Sequence, residues 1–313
     1  MAAFRWPRSR HAARNPLGET AGVSRPRMPL RAAFPPPLPP GRAGDPGVVE
    51  PDGPFQRLWG DRLALMGGPA AILLQIAHPL VGAGVVEHSD YRSRPGHRLL
   101  ATLDATLAIT FGDREQAAAA AAAVGGRHRR VRGTLPSAVG EFPAGTPYSA
   151  GDPDLALWVY ATLVRTSLRV HERYRAPLGA AERERYYRES KAFALTFRVP
   201  PGHLPGSWAQ FCAYFDSVLP RLAVTPAVLD VARDLLVPRL TPPVPGAGVL
   251  LRAVTADLLP DAARRSYSLP LTAARRAQVA ALTAATRRLW PRAPRALREV
   301  PHVRQCEERL RAG

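Results

Sequence analysis

Between Asp152 and Tyr174 the sequence carries an unbroken helical stripe. Leu155, Trp158, Val159, Thr162, Leu163 and Thr166 recur every three or four residues, the spacing that gathers side chains on one face of an α-helix. Asp152 offers a carboxylate to the orphan amides of the first turn, and Pro153 stands at the first helical position, where a missing N–H costs nothing. An apolar stripe of this length has to be covered by other elements, and from Phe55 onward the chain offers helices. Asp113 with Gln116 reads as a capping box leading into the alanines 117–123, and Thr225-Pro226 and Thr272 announce two later starts. Period-two alternation of the kind strands show is missing. The expected fold is therefore all-α: one large domain over residues 54–313, with about ten helices of ordinary length.

The stretch from residue 1 to about residue 53 reads differently. It is rich in Arg, Pro and Gly, including Pro35-Pro36-Pro37 and Pro39-Pro40, and holds too little apolar surface to offset the entropy of ordering it; a disordered tail is expected. Its arginines are not followed by a continuous apolar run, so no export signal is complete. The greasiest stretch, Leu63 to Val86, is interrupted by Pro69, Gln75, His78 and Pro79, which argues against a transmembrane segment. Cys212 and Cys306 are too few for a disulfide framework, and a cytoplasmic location is expected. The net charge of +18 rests on 43 basic residues of which only Lys191 is lysine, with arginines scattered rather than gathered on one face; no nucleic acid partner is expected.

Phosphate-loop, HExxH and GxSxG signatures do not occur, nor do the two Glu-x-x-His motifs that a diiron bundle sets on facing helices. The functional signal is confined to residues 78–133: His78-Pro79, then Glu87-His88, then Arg98 with Thr102, then Gly125-Gly126 and His128 in a basic run. On a helix Arg98 and Thr102 project from one face and can address one ligand; otherwise the arginine rests its head in solvent and the threonine bonds back to its own helix. His128 is either an axial donor to iron beside two glycines that admit a flat ring, or a surface histidine. His78 is a satisfied core histidine or a second ligand. Glu87 and His88 either supply a proton during oxygen activation or form a polar loop before Tyr91.

The order and spacing of these fragments resemble the MpaB-like/rubber-oxygenase family of heme-dependent oxygenases, as do Asp152-Pro153 with Trp158 and the run Tyr186-Tyr187-Arg188-Glu189; the resemblance covers about residues 55–300. It implies globin-like helical packing around a heme b pocket, with His128 as the iron ligand and Arg98, Thr102 and His78 lining the cofactor. Arg98, Thr102, Glu87 and His88 would then serve catalysis. The implied reaction activates dioxygen against an apolar, isoprenoid-type substrate, with an electron donor as partner. The chain departs from the rubber oxygenases at Ala101, where they carry a lysine. That difference motivates an alternative, a non-catalytic heme-binding or interaction protein on the same scaffold. A basic nucleic-acid-binding regulator is the third reading.

Overall fold

A computed structural model describes residues 28–29, 35–89, 95–237, 240–241 and 243–313, with the backbone alone for 28–29, 95–99 and 240–241. Among these residues the chain forms fourteen α-helices. They are α1 (Pro54–Gly60), α2 (Gly68–Ala77), α3 (Pro79–His88), α4 (Pro95–Phe111), α5 (Arg114–His128), α6 (Pro153–Tyr174) and α7 (Ala180–Thr196). The second half contributes α8 (Trp208–Val218), α9 (Pro226–Leu235), α10 (Ala247–Leu258), α11 (Asp261–Ser266), α12 (Ala273–Leu289), α13 (Arg295–Arg298) and α14 (Pro301–Arg311). The all-α expectation holds, with more helices than about ten because short pieces such as α11 and α13 stand alone and because the chain breaks at His78.

Two small sheets were not foreseen. β1 (Met28–Pro29) pairs in parallel with β4 (Leu240–Thr241), and β2 (Arg132–Thr134) pairs antiparallel with β3 (Pro147–Ser149), Gly133 opposite Tyr148. Strands this short show no readable alternation.

α6 is the central element. Asp152 Oδ1 accepts from the amides of Asp154 and Leu155, Pro153 opens the helix, and the helix ends at Tyr174 as its stripe requires. α2 packs along it, and α7, α8, α10 and α12 enclose its other sides. Trp158, Tyr160, Tyr174, Tyr186, Tyr187 and Phe193 are fully buried there. Their polar tips are mostly tied inward: Trp158 Nε1 donates to the Leu74 carbonyl at 3.1 Å, Tyr267 to that of Leu73 at 2.7 Å, and Tyr187 to that of Pro205 at 2.7 Å. These bonds remove the desolvation cost of burying each aromatic's polar atom.

The Leu63–Val86 stretch becomes a 3-10 turn (Arg62–Gly67), α2 and α3, with a bend of 105° at His78. No single helix among the described residues is long and apolar enough to cross a membrane. α2 is instead buried against α6, with Leu73 and Ala77 wholly inaccessible.

Of the stretch expected as a tail, residues 1–27 and 30–34 lie outside the described residues, whereas residues 35–53 form a strap on the helical body. Val49 enters the core at 1% exposure. The amide of Arg42 donates to Asp113 Oδ2 at 2.7 Å, and the Gln305 carboxamide brackets Leu38 through both its N–H and C=O. Arg309 on α14 is buried and donates to the carbonyls of Asp45 and Phe111, both at 2.8 Å. Composition misjudged this segment because proline-rich backbone, having no internal hydrogen bonds, can be held by side chains supplied from elsewhere.

Candidate functional site

Pro79 determines the geometry of His78. The residue before proline is driven out of the helical region, so His78 caps α3 with extended backbone (φ −71°, ψ 121°) and the chain turns there. Its ring is carried inside, 5% exposed and 5.5 Å from the Phe142 ring, and Nδ1 has no hydrogen-bond partner. On the same phenyl ring sits the Arg221 guanidinium, 5.5 Å from its centroid and ion-paired with Glu141. Burial, helped by Arg221, pushes the His78 pKa down to about 4, with Glu141 and Asp152 opposing. The imidazole is therefore neutral at ordinary pH.

Glu87 and His88 form the last turn of α3 rather than a loop. Opposite them, Tyr148 of β3 is 4% exposed and directs its hydroxyl out between the elements, donating to Glu87 Oε2; His88 Nε2 lies 3.4 Å from the same hydroxyl. Burial first, then the bond to Glu87 and its charge, hold the Tyr148 pKa well above the usual phenol range. The approach depends on Gly133: a Cβ there would fall 2.6 Å from the Tyr148 hydroxyl oxygen and 3.2 Å from Glu87 Oε2. Between His78 at one end of α3 and Glu87 at the other, Leu80, Leu135, Tyr148 and Leu155 form a small apolar cluster of their own, with Phe142 against it.

The end of α5 is tied to the same corner. His128 is its last residue, half-buried, and its carbonyl accepts from the Val131 amide at 2.9 Å. Val131 in turn packs on Gly84 of α3, where an added Cβ would meet Val131 Cγ1 at 3.2 Å. α4 and α5 pack together as a hairpin closed at Gly112-Asp113, where the expected capping box forms between Asp113 and Gln116. Thr102 is half-buried on α4, and its carbonyl accepts the Thr106 hydroxyl at 2.8 Å. Arg98 belongs to the same helix, and its side chain lies outside the described residues.

Thus the structure places His78, Glu87 and His88 on one helix, ties the His128 turn to that helix, and puts Arg98 and Thr102 on the helix paired with α5. Tyr148, Phe142 and Arg221 were not anticipated; only the β2–β3 pairing brings Tyr148 to Glu87, and strands of three residues leave no periodic trace. Another residue missed is His302 on α14, fully buried near Phe111, with both ring nitrogens unpartnered and a pKa lowered by burial. A groove of about 620 Å³ lies elsewhere, where the strap meets the start of α5, lined by Pro39, Arg42, Asp113 and Gln116 among others. Among the described residues no group of three or more His, Cys, Asp or Glu side chains is set to hold a bare metal ion.

Residues 56–288 match the family described as ER-bound oxygenase mpaB/B'/Rubber oxygenase, catalytic domain. The chain belongs to that family. The matched span of this mpaB/rubber-oxygenase domain runs from α1 to the end of α12 and so contains every candidate residue above except His302. Two relatives of the domain, uncharacterized proteins of Mycobacterium bovis and Mycobacterium tuberculosis, are each 32% identical to it over 172 residues, 53% of this chain. The match spans 65% of the length of each relative. No solved structure matches the chain.

Proposed function

We propose that this chain is a heme b-dependent oxygenase that acts on an apolar, isoprenoid-type substrate, with His128 as the iron ligand. Membership in an oxygenase family supports the reaction class. The observation that carries the cofactor is the surface of α5 beside His128. The three atoms nearest a Cβ at Gly125 would belong to the Arg198 guanidinium, at 3.5 Å, and a Cβ at Gly126 would meet the Arg129 Nη2 at 3.6 Å, so what lies closest over the two glycines is the movable ends of side chains. This fits a flat macrocycle anchored through one imidazole, because the ring brings four donors and the protein need add only one or two.

When bound, the heme would supply the iron that activates dioxygen. The remaining tasks fall to the chain. Arg98 and Thr102, one turn apart on α4, would address one ligand: the guanidinium would pair with a carboxylate such as a propionate, and the hydroxyl would donate to a bound group. His78, neutral and with a free ring nitrogen, is available as a second donor. The cluster of Leu80, Leu135 and Leu155 keeps water from the inner face of α3, while Glu87 and His88 at its outer end hold a proton where solvent can exchange it.

The test is spectroscopic. The full chain, produced with a heme precursor, should purify with a Soret band and a heme b pyridine hemochrome; His128→Ala should lose both, and His203→Ala should keep them. A colourless, iron-free wild-type protein overturns the reading, and a His128→Ala protein that keeps its heme moves the ligand elsewhere.

A further inference from the structure

Among the described residues, the tyrosine hydroxyls with a hydrogen bond end in two kinds of partner. Tyr187 and Tyr267 donate to backbone carbonyls, Tyr186 donates to the Val164 carbonyl and meets the Ser167 hydroxyl, and Tyr160 meets the Ser190 hydroxyl. None of those partners takes up a proton near neutral pH. Tyr148 is different: among the described residues it is the tyrosine whose hydroxyl meets a carboxylate, with an imidazole nitrogen 3.4 Å from the same oxygen.

The geometry points to Tyr148 as a redox-active residue, a site where one electron leaves the phenol while its proton passes along the existing hydrogen bond to Glu87. In that step the Tyr148 O–H bond breaks, the electron goes to an outer-sphere one-electron oxidant, and the proton converts the Glu87 carboxylate to the acid. The product is a neutral tyrosyl radical facing a protonated glutamate, and return of one electron reverses each change. An oxidised phenol is a strong acid, so oxidation is easy only where a base already holds the hydrogen bond.

Three further features suit that use. The ring lies at 4% exposure among Leu80, Leu135 and Leu155, away from reagents that would quench a radical. The Glu87 and His88 side chains, by contrast, are 59% and 26% exposed, so the transferred proton can exchange with water. Before oxidation the phenol keeps its proton, since burial and the neighbouring carboxylate both disfavour phenolate. Gly133 fixes the path by letting the hydroxyl pass β2 without displacement. The backbone from His128 to Gly133, the register partner of Tyr148, cannot exceed about 18 Å even if fully extended, so an electron carried by Tyr148 would stay close to the α5 terminus.

The inference does not depend on the heme reading, and its test does not use heme. Full-length protein as isolated is mixed with hexachloroiridate(IV), frozen within milliseconds and read by electron paramagnetic resonance. Wild type should give a tyrosyl radical that Tyr148→Phe removes and Tyr267→Phe leaves in place. Glu87→Gln, altering an exposed side chain and leaving the tyrosine intact, should lower the radical yield by about ten-fold or more, as each unit of lost proton affinity shifts an equilibrium ten-fold. Far-UV circular dichroism checks that each variant is folded. The proposal is overturned by a wild-type protein that forms no radical, by a radical that persists in Tyr148→Phe, or by a yield unchanged in Glu87→Gln.

Discussion

The body around α6 and the corner formed by α3 with the β2–β3 hairpin are built on opposite rules. Around α6, large aromatics fill the interior, and most of their polar atoms are spent on carbonyls and hydroxyls of neighbouring helices, as with Trp158 on Leu74. In the corner a small apolar cluster is edged by groups that carry chemistry: a buried imidazole with an unpaired nitrogen, a phenol on a carboxylate, and an ion pair over a phenyl ring. Satisfied polar groups make a rigid interior, whereas an unsatisfied one is costly and persists where something other than stability retains it. The comparison teaches that the candidate site of this fold is found where titratable side chains gather at the edge of a small apolar cluster.

Trp158→Ala should break the body most severely. It deletes a side chain 1% exposed that stacks on Phe215 at 5.3 Å, and an aromatic-to-alanine change in a packed core costs about 3–5 kcal/mol. Urea unfolding at pH 7 measures it; a loss under about 1 kcal/mol, the scale of an ordinary point mutation, would mean α6 is not the organising helix.

Acid comes next and acts on the corner. The folded pKa of His78 is pushed down to about 4, below the ordinary value of 6.5. Above pH 6.5 neither state binds the proton and His78 contributes nothing; as pH falls below 6.5 the unfolded chain takes up a proton that the native ring refuses. Stability should decline by about 3 kcal/mol between pH 6.5 and pH 4, with His302 adding in the same direction. Unfolding curves across this interval check the slope, which His78→Gln should flatten; an unchanged slope would show the imidazole reaches water or a partner.

Leu135→Ala sharpens the contrast with the smallest effect. Leu135 is 2% exposed, yet its cluster is small and can collapse into the space, so the loss should lie near the lower end of the Leu→Ala range, about 2 kcal/mol. A cost matching that of Trp158→Ala would erase the distinction between satellite and core.

How much of this was legible in the sequence follows the same division. The helix from Asp152 to Tyr174, the Asp113–Gln116 box and the caps at Thr225 and Thr272 were readable because each depends on residues within a turn of one another. The residues of the candidate site were partly readable, since the fragments from His78 to His128 lie on consecutive elements. Tyr148 was not: it reaches Glu87 across the molecule through a three-residue strand pair, and nothing local encodes that meeting. The strap was misread for a related reason, because its hydrogen bonds come from residues remote in sequence, Asp113 on one side and Gln305 and Arg309 on the other.

Those two side chains have a practical consequence. The family match stops at residue 288, yet Arg309 donates to the carbonyls at the tip of the α4–α5 hairpin and Gln305 fastens the strap beside it. A fragment trimmed to residues 56–288 would keep every proposed ligand and lose the buckle that closes their hairpin. It would leave the Phe111 and Gly112 carbonyls and the Phe111 ring to water, making shortened versions of this protein poor stand-ins for the whole chain.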